Sequence, residues 1–252
     1  MTQIVRRRIP AALLALLCVP SLSVIMRGTE PRGSSVPAAV VQATGGVAIG
    51  TVRFLADPPE PERLRVTQNS DVCGLRKFSQ EFIVSKDTKG LKNVVLSIVG
   101  VPDRPASPGT PGPQVAQHVC EYEPHVQTAV VGQELSIVNQ DDVLHNIHAY
   151  GEAKQTFFNL AQPIQHMVNK QTLGTPGVVT LKCDVHNWMQ AYVVVAPHPF
   201  VAATDENGAF RIEGIPGGSY KLRAWHEALG ELAKDITIVS GREATVNFDV
   251  GQ

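Results

Sequence analysis

The chain has almost no net charge: 22 Lys and Arg stand against 23 Asp and Glu, a formal −1 over 252 residues. That balance provides no basic field for nucleic acid and no strong acidic one, so partners must be sought in local sites. Beyond the N-terminus no long run carries the 3.6-residue amphipathic spacing of a helix, which argues against a helix bundle. Cysteine is scarce, with four residues at Cys18, Cys73, Cys120 and Cys183. No second cysteine pair is therefore at hand to close a structural zinc site.

What the chain does have is 18 Pro, 21 Gly and many short β-branched runs, the composition of an all-β sandwich or barrel. Residues 1–26 read as an export signal, with Arg6, Arg7 and Arg8 ahead of an apolar stretch from Ile9 to Met26. If that segment stays attached it serves as a membrane anchor; otherwise no membrane contact is expected. Residues 27–43 form a Pro, Gly, Ser and Ala-rich linker. Strands are expected at Val47–Leu55, Glu81–Ser85, Asn93–Val99, Gln127–Val131, Glu134–Asn139, Val178–Lys182 and Ala191–Ala196. The stretch Val101–Gln114 is too rich in Pro and Gly for either regular element, and Ala153–Lys170 reads as polar and irregular, with one helical turn at most.

One short segment carries chemistry. In Cys183-Asp184-Val185-His186-Asn187-Trp188-Met189 a thiolate, an imidazole and a thioether recur at three-residue intervals between two β-rich runs. Cys, His and Met are soft or borderline ligands, and a Cys-His-His set with a weak axial Met is a mononuclear copper arrangement. Met is a poor ligand for zinc, and a binuclear copper centre needs two bridging cysteines where this loop has one. The missing imidazole comes from Asn139-Gln140-Asp141-Asp142-Val143-Leu144-His145-Asn146-Ile147-His148. His145 and His148 are three apart, so on a strand they face opposite sides and only one reaches the Cys loop.

Those residues resemble the cupredoxins, and among them the amicyanin and plastocyanin-like branch. The resemblance rests on the His145-Asn146 step and on the short Cys183-x-x-His186-x-x-Met189 loop. It implies a Greek-key β-sandwich over residues 44–197 with extra N-terminal strands, holding one copper ion. By carry-over His145, Cys183 and His186 form the trigonal plane and Met189 the axial contact, while Asn146 braces the loop. The exposed edge of His186, near Trp188, would then be the electron port. Amicyanin-type loops carry prolines beside the histidine, whereas this chain has Val185 and Asn187, which leaves more backbone donors near the sulfur.

Residues 198–252 resemble the carboxypeptidase regulatory-like, transthyretin-like β-sandwich modules. The match lies in Thr204, Asp205, Gly208, Phe210, Pro216, Gly218, Tyr220 and Leu222. So short a tail is marginal alone and is expected to borrow a strand, with Gly45–Leu55 as one source. The combination also resembles exported methylamine-utilisation-like proteins, a likeness that names no substrate.

Cys73 and Cys120 are expected to pair as a disulfide; a second metal site with His118 and His125 is the alternative. The run Trp225-His226-Glu227 is expected to put Trp in a core and His-Glu in solvent, and His166 and His198 are expected at the surface. Together these readings predict an exported, periplasmic or otherwise extracytoplasmic electron carrier with redox protein partners and no catalysis of its own. A copper-storage or cell-surface binding module is the alternative.

Overall fold

The computed structural model describes residues 45–107 and 109–251; the expected export signal (1–26) and linker (27–43) lie outside the described residues. The described chain is almost entirely β, and it builds two sandwiches that are nested rather than consecutive.

The first sandwich has a five-stranded sheet in the order β10 (Thr156–Gln162), β9 (His145–Tyr150), β12 (Gly177–Lys182), β13 (Gln190–Ala196) and β7 (Val126–Val130). Its second sheet runs β11 (Val168–Thr172), β8 (Glu134–Asn139), β5 (Gln114–His118) and β6 (Glu121–Glu123). Inward side chains of both sheets, among them Val115, Leu135, Ile137, Ile147, Leu181 and Val193, make one core. The second sandwich pairs a sheet of β15 (Ala209–Ile215), β1 (Gly46–Phe54), β18 (Glu243–Thr245) and β19 (Phe248–Val250) with a sheet of β14 (Val201–Ala203), β4 (Val95–Val99), β16 (Gly218–His226) and β17 (Gly230–Ile238). Its core includes Val52, Leu96, Ile98, Phe210, Leu222 and Phe248.

Strand pairing does not respect a division of the chain at 197/198. β1 lies antiparallel to β15 and parallel to β18 and β19, and β4 sits between β14 and β16. The tail does take up Gly46–Phe54, and it takes Val95–Val99 as well. The reason is geometric: without β1 and β4, neither sheet of the tail has its central strand. Residues 114–196 are thus an insertion between strands of the second sandwich.

A third small cluster joins the two. β13 turns Ala191, Val193 and Val195 into the first core and Val194 the other way, where it meets Val95 of β4 and Val126 of β7. A strand buried on both faces needs a continuous apolar run instead of alternation, which explains the Val193-Val194-Val195 sequence. Each such valine contributes about 1.5–3 kcal/mol of burial.

Two sequence expectations change. Ala153–Lys170 is not irregular: β10 pairs with β9 and part of β11 lies within it, each strand at the edge of its sheet. Edge strands show solvent much of their surface, so TFFNLAQ and VNKQT lack the apolar signal used to find strands. Conversely Glu81–Ser85 forms no named strand, and Val84 makes only an isolated bridge to Leu91. The hairpin of β2 (Arg63–Leu64) and β3 (Lys77–Phe78) flanks α1 (Ser70–Cys73), and Leu64, Val66 and Val72 from this stretch pack on the first core.

His226 and His198, expected in solvent and at the surface, are both buried. Burial holds each below the ordinary histidine value of 6.5, and His226 Nδ1 accepts a hydrogen bond from the Ala228 amide, which fixes a neutral ring. A depressed histidine pKa means the unfolded chain binds the extra protons, so stability is full above pH 6.5 and declines as pH falls below it. Each histidine contributes up to about 1.4 kcal/mol per pH unit in that window. Denaturant unfolding at pH 7.5 and 5.5 should show a clear loss at the lower pH, and His226→Gln should make that loss smaller; an unchanged slope would refute the assignment.

Candidate metal centre

The centre forms at one end of the first sandwich, where three elements converge. His145 opens β9, and Cys183 and His186 lie in the turn between β12 and β13. The turn is closed by its own backbone: Met189 N–H donates to His186 O at 2.9 Å and Cys183 N–H to Met189 O at 3.4 Å. The His186 amide also donates to Cys183 Sγ at 3.4 Å.

His145, Cys183 and His186 come together and are all buried. The two Nδ1 atoms are 3.0 Å apart, and Cys183 Sγ lies 3.7 Å from His186 Nδ1 and 4.0 Å from His145 Nδ1. Met189, the fourth predicted residue, is buried in the same core cluster as Cys183.

The outer nitrogens decide which lone pairs point inward. His145 Nε2 donates to Asp141 Oδ2 at 2.9 Å, and His186 Nε2 donates to Asn69 Oδ1 at 3.0 Å. A carboxylate and an amide oxygen only accept, so both rings carry their hydrogen on Nε2 and both Nδ1 atoms are bare. Two bare nitrogens facing each other at 3.0 Å in a buried site repel unless a cation sits between them. Cys183 adds a third donor: burial opposes ionisation of its thiol, while the His186 amide, donating to Sγ at 3.4 Å, and the Asn146 amide favour the thiolate. Metal bonds of about 2.0–2.3 Å to one ion would leave N and S donors roughly 3–4 Å apart, as these are. The donor set fits a single soft-to-borderline cation, and copper in particular.

Asp141 is itself held in place. Its two oxygens accept the amides of Val119 at 2.7 Å and Cys120 at 2.8 Å, and these hydrogen bonds with His145 keep its carboxyl below the ordinary range despite burial. His145 in turn is raised: burial works against its cationic form, but Asp141 and Cys183 outweigh that. Such carboxylate–histidine pairs orient the ring and raise its basicity as a ligand. Asn146 braces the loop as expected: its Oδ1 accepts the Asp184 amide at 2.6 Å and its Nδ2 donates to Asp184 Oδ2 at 2.9 Å. His148 points away and bonds Asp184, Tyr150 and Thr156 on the other face.

The expected exposed edge of His186 is absent: the ring is 0% exposed. Asn69, just before α1, covers it. Asn69 occupies the helix N-cap in a left-handed conformation (φ 50°, ψ 37°) yet makes no cap hydrogen bond, because its side chain serves His186 instead. Gln68 bonds Val185 O in the ligand turn, and the disulfide Cys73–Cys120 fixes the far end of the cover. Trp188 stacks obliquely on His186 at 5.0 Å and donates to Cys120 O, so it belongs to the packing of the site. The alternative grouping of Cys73 and Cys120 with His118 and His125 does not form. His118 lies exposed near Glu123, and His125 bonds Gln190 O and Glu227. The Glu227 side chain, expected in solvent, is instead only 7% exposed, paired with His125.

The site and fold define an all-β protein with a candidate mononuclear metal centre. A model of the polysaccharide lyase family 4 domain II, a fibronectin-like fold, matches residues 173–246. No model of the carboxypeptidase regulatory type matches the tail. No curated protein matches the sequence. Among solved structures, a purple cupredoxin from Nitrosopumilus maritimus is 22% identical over 33% of this chain and 98% of its own, with a TM-score of 0.30. A reduced amicyanin variant is 18% identical over 40% of this chain and 98% of its own, at 0.31. A copper-containing nitrite reductase from Thermus scotoductus is 21% identical over 38% of this chain and 27% of its own, at 0.29. These likenesses are partial and weak, and the chemistry of the centre stands on its donor set.

Loss of the Asp141 carboxylate frees the His145 ring to change tautomer. Asp141→Asn should weaken copper binding about 10–100-fold in a competition titration, with the fold retained by circular dichroism. Unchanged affinity would show that Asp141 does not orient the ligand.

Proposed function

We propose that this is an exported mononuclear type 1 copper protein that passes single electrons between redox partner proteins. The observation that carries the reading is the convergence of two Nδ1 atoms and one thiol sulfur in a single buried site, with the outer nitrogen of each ring engaged elsewhere. His145, Cys183 and His186 would hold the ion, with Met189 as axial contact. Copper bound there supplies a one-electron couple. The chain's part is rigidity: each ligand ring is bonded on its outer edge, and the ligand turn is closed by its own backbone, so little moves when charge changes. The reading is of a carrier rather than an enzyme, because the thiol, both imidazoles and the thioether would all be committed to holding the ion.

An extracytoplasmic location belongs to the same reading. The Cys73–Cys120 disulfide favours an oxidising compartment, periplasmic or otherwise extracytoplasmic. No helix among the described residues is long and apolar enough to cross a membrane.

A second reading, copper storage without electron traffic, draws support from the buried His186 edge, which a docking partner would not touch directly. The two readings separate in a potentiometric titration. The carrier reading expects an intense visible band from the copper-loaded protein that bleaches and returns reversibly, and its loss in Cys183→Ser. A loaded protein that binds copper but stays colourless and redox-silent would favour storage.

A further inference from the structure

Cys73 and Cys120 stand beside the centre, not apart from it. Both are fully buried, their Cα atoms are 5.0 Å apart, and their sulfurs and a His186 ring nitrogen all lie within 4.8 Å of one another. His186 is thus within reach of two donor groups, one with Cys183 and His145 and one with this cysteine pair, and its one ring lone pair can serve only one of them at a time. The pair is also wired into both outer hydrogen bonds of the centre. Cys73 closes the short helix that begins after Asn69, the acceptor for His186, and the Cys120 amide bonds Asp141, the acceptor for His145.

We propose that, before the disulfide forms, Cys73, Cys120 and His186 make a second, thiolate-rich site that takes Cu(I), and that closing the disulfide withdraws it and seals the cover over His186. This rests on the copper reading above. Two thiolates and an imidazole are a soft set suited to Cu(I), and a newly exported chain arrives with its thiols reduced. The grouping differs from one with His118 and His125, which the fold places elsewhere.

The closing step balances by thiol–disulfide exchange with an oxidant of the protein-disulfide class. One thiolate of the pair attacks a sulfur of the oxidant's disulfide, and the other displaces the oxidant's remaining thiolate from the mixed disulfide. The Cys73–Cys120 bond forms, the oxidant's bond breaks, and the oxidant leaves as a dithiol carrying two electrons and two protons taken from solvent. Cu(I) is neither oxidised nor reduced in this step; it passes from the pair to the neighbouring Cys183, His145 and His186 donors. Once the sulfurs are joined they are no longer thiolate ligands, and His186 is left to Cys183 and His145.

The test uses the full chain carrying Cys183→Ser, which disables the first centre, with Cu(I) delivered from a chromophoric chelator. Reduction with a phosphine should raise Cu(I) affinity about tenfold or more over the disulfide form. Bound Cu(I) should also shield Cys73 and Cys120 from alkylation, and adding His186→Ala should remove most of the gain. Equal affinity before and after reduction would overturn the proposal. So would an undiminished gain in the His186→Ala chain, since that is the behaviour of two free thiols and not of a built site. His145→Ala provides a second background if Cys183→Ser does not fold, with the same two outcomes. The copper reading fails separately: a wild-type disulfide form that takes no copper sinks it and leaves the comparison of reduced and oxidised cysteine pairs intact.

Discussion

The Asp141 carboxylate is the constraint on which the centre depends. It accepts the amides of Val119 and Cys120 and the Nε2–H of His145, so one buried anion joins the β5–β6 turn, the disulfide and a ring of the candidate centre. Both turn residues have positive φ, 48° and 55°, a conformation that costs non-glycine residues energy and persists only where surrounding bonds impose it. The same geometry that strains the turn aims its two amides at Asp141. Asn69 mirrors the arrangement on the other side, giving up its natural role as a helix cap to hold His186. Each ligand ring is thus fixed from behind, and the inward lone pairs follow from the outward bonds.

The nested sandwiches explain why such a site stays rigid. The 114–196 insertion is tied to the second sandwich through Val95, Val126 and Val194, and β13, which carries Val194, leads straight out of the ligand turn. Motion of that turn would have to disturb a strand buried on both faces. Dense packing of this kind is poorly compressible, which suits the one-electron cycling proposed for the centre.

The parts legible in the sequence are those whose signal is local. Cys183, His186 and Met189 declare themselves by spacing within seven residues, and strands with β-branched runs, such as Glu134–Asn139, are readable to within a residue or so. His145 is reachable because a strand and a polar turn lead into it. Asp141, four residues ahead of His145, carries a signal that proximity alone exposes. Asn69 carries none: it lies 117 residues from His186, and nothing in Gln68-Asn69-Ser70 distinguishes it from any exposed turn. The exposed-edge expectation for His186 fails for that reason. The nesting is hidden for a related one, since pairing β1 with β15 and β4 with β16 is a long-range choice that periodicity does not encode. Edge strands β10 and β11 are hidden because much of their surface faces water.

Whether His145 Nδ1, His186 Nδ1 and Cys183 Sγ bind one ion together is tested most directly by X-ray absorption at the copper edge of the loaded protein. Shared binding predicts two nitrogen scatterers near 2.0 Å and one short sulfur near 2.2 Å, roughly the distances such donors adopt with first-row metals. A shell made of oxygen and nitrogen alone, with no short sulfur, would rule it out.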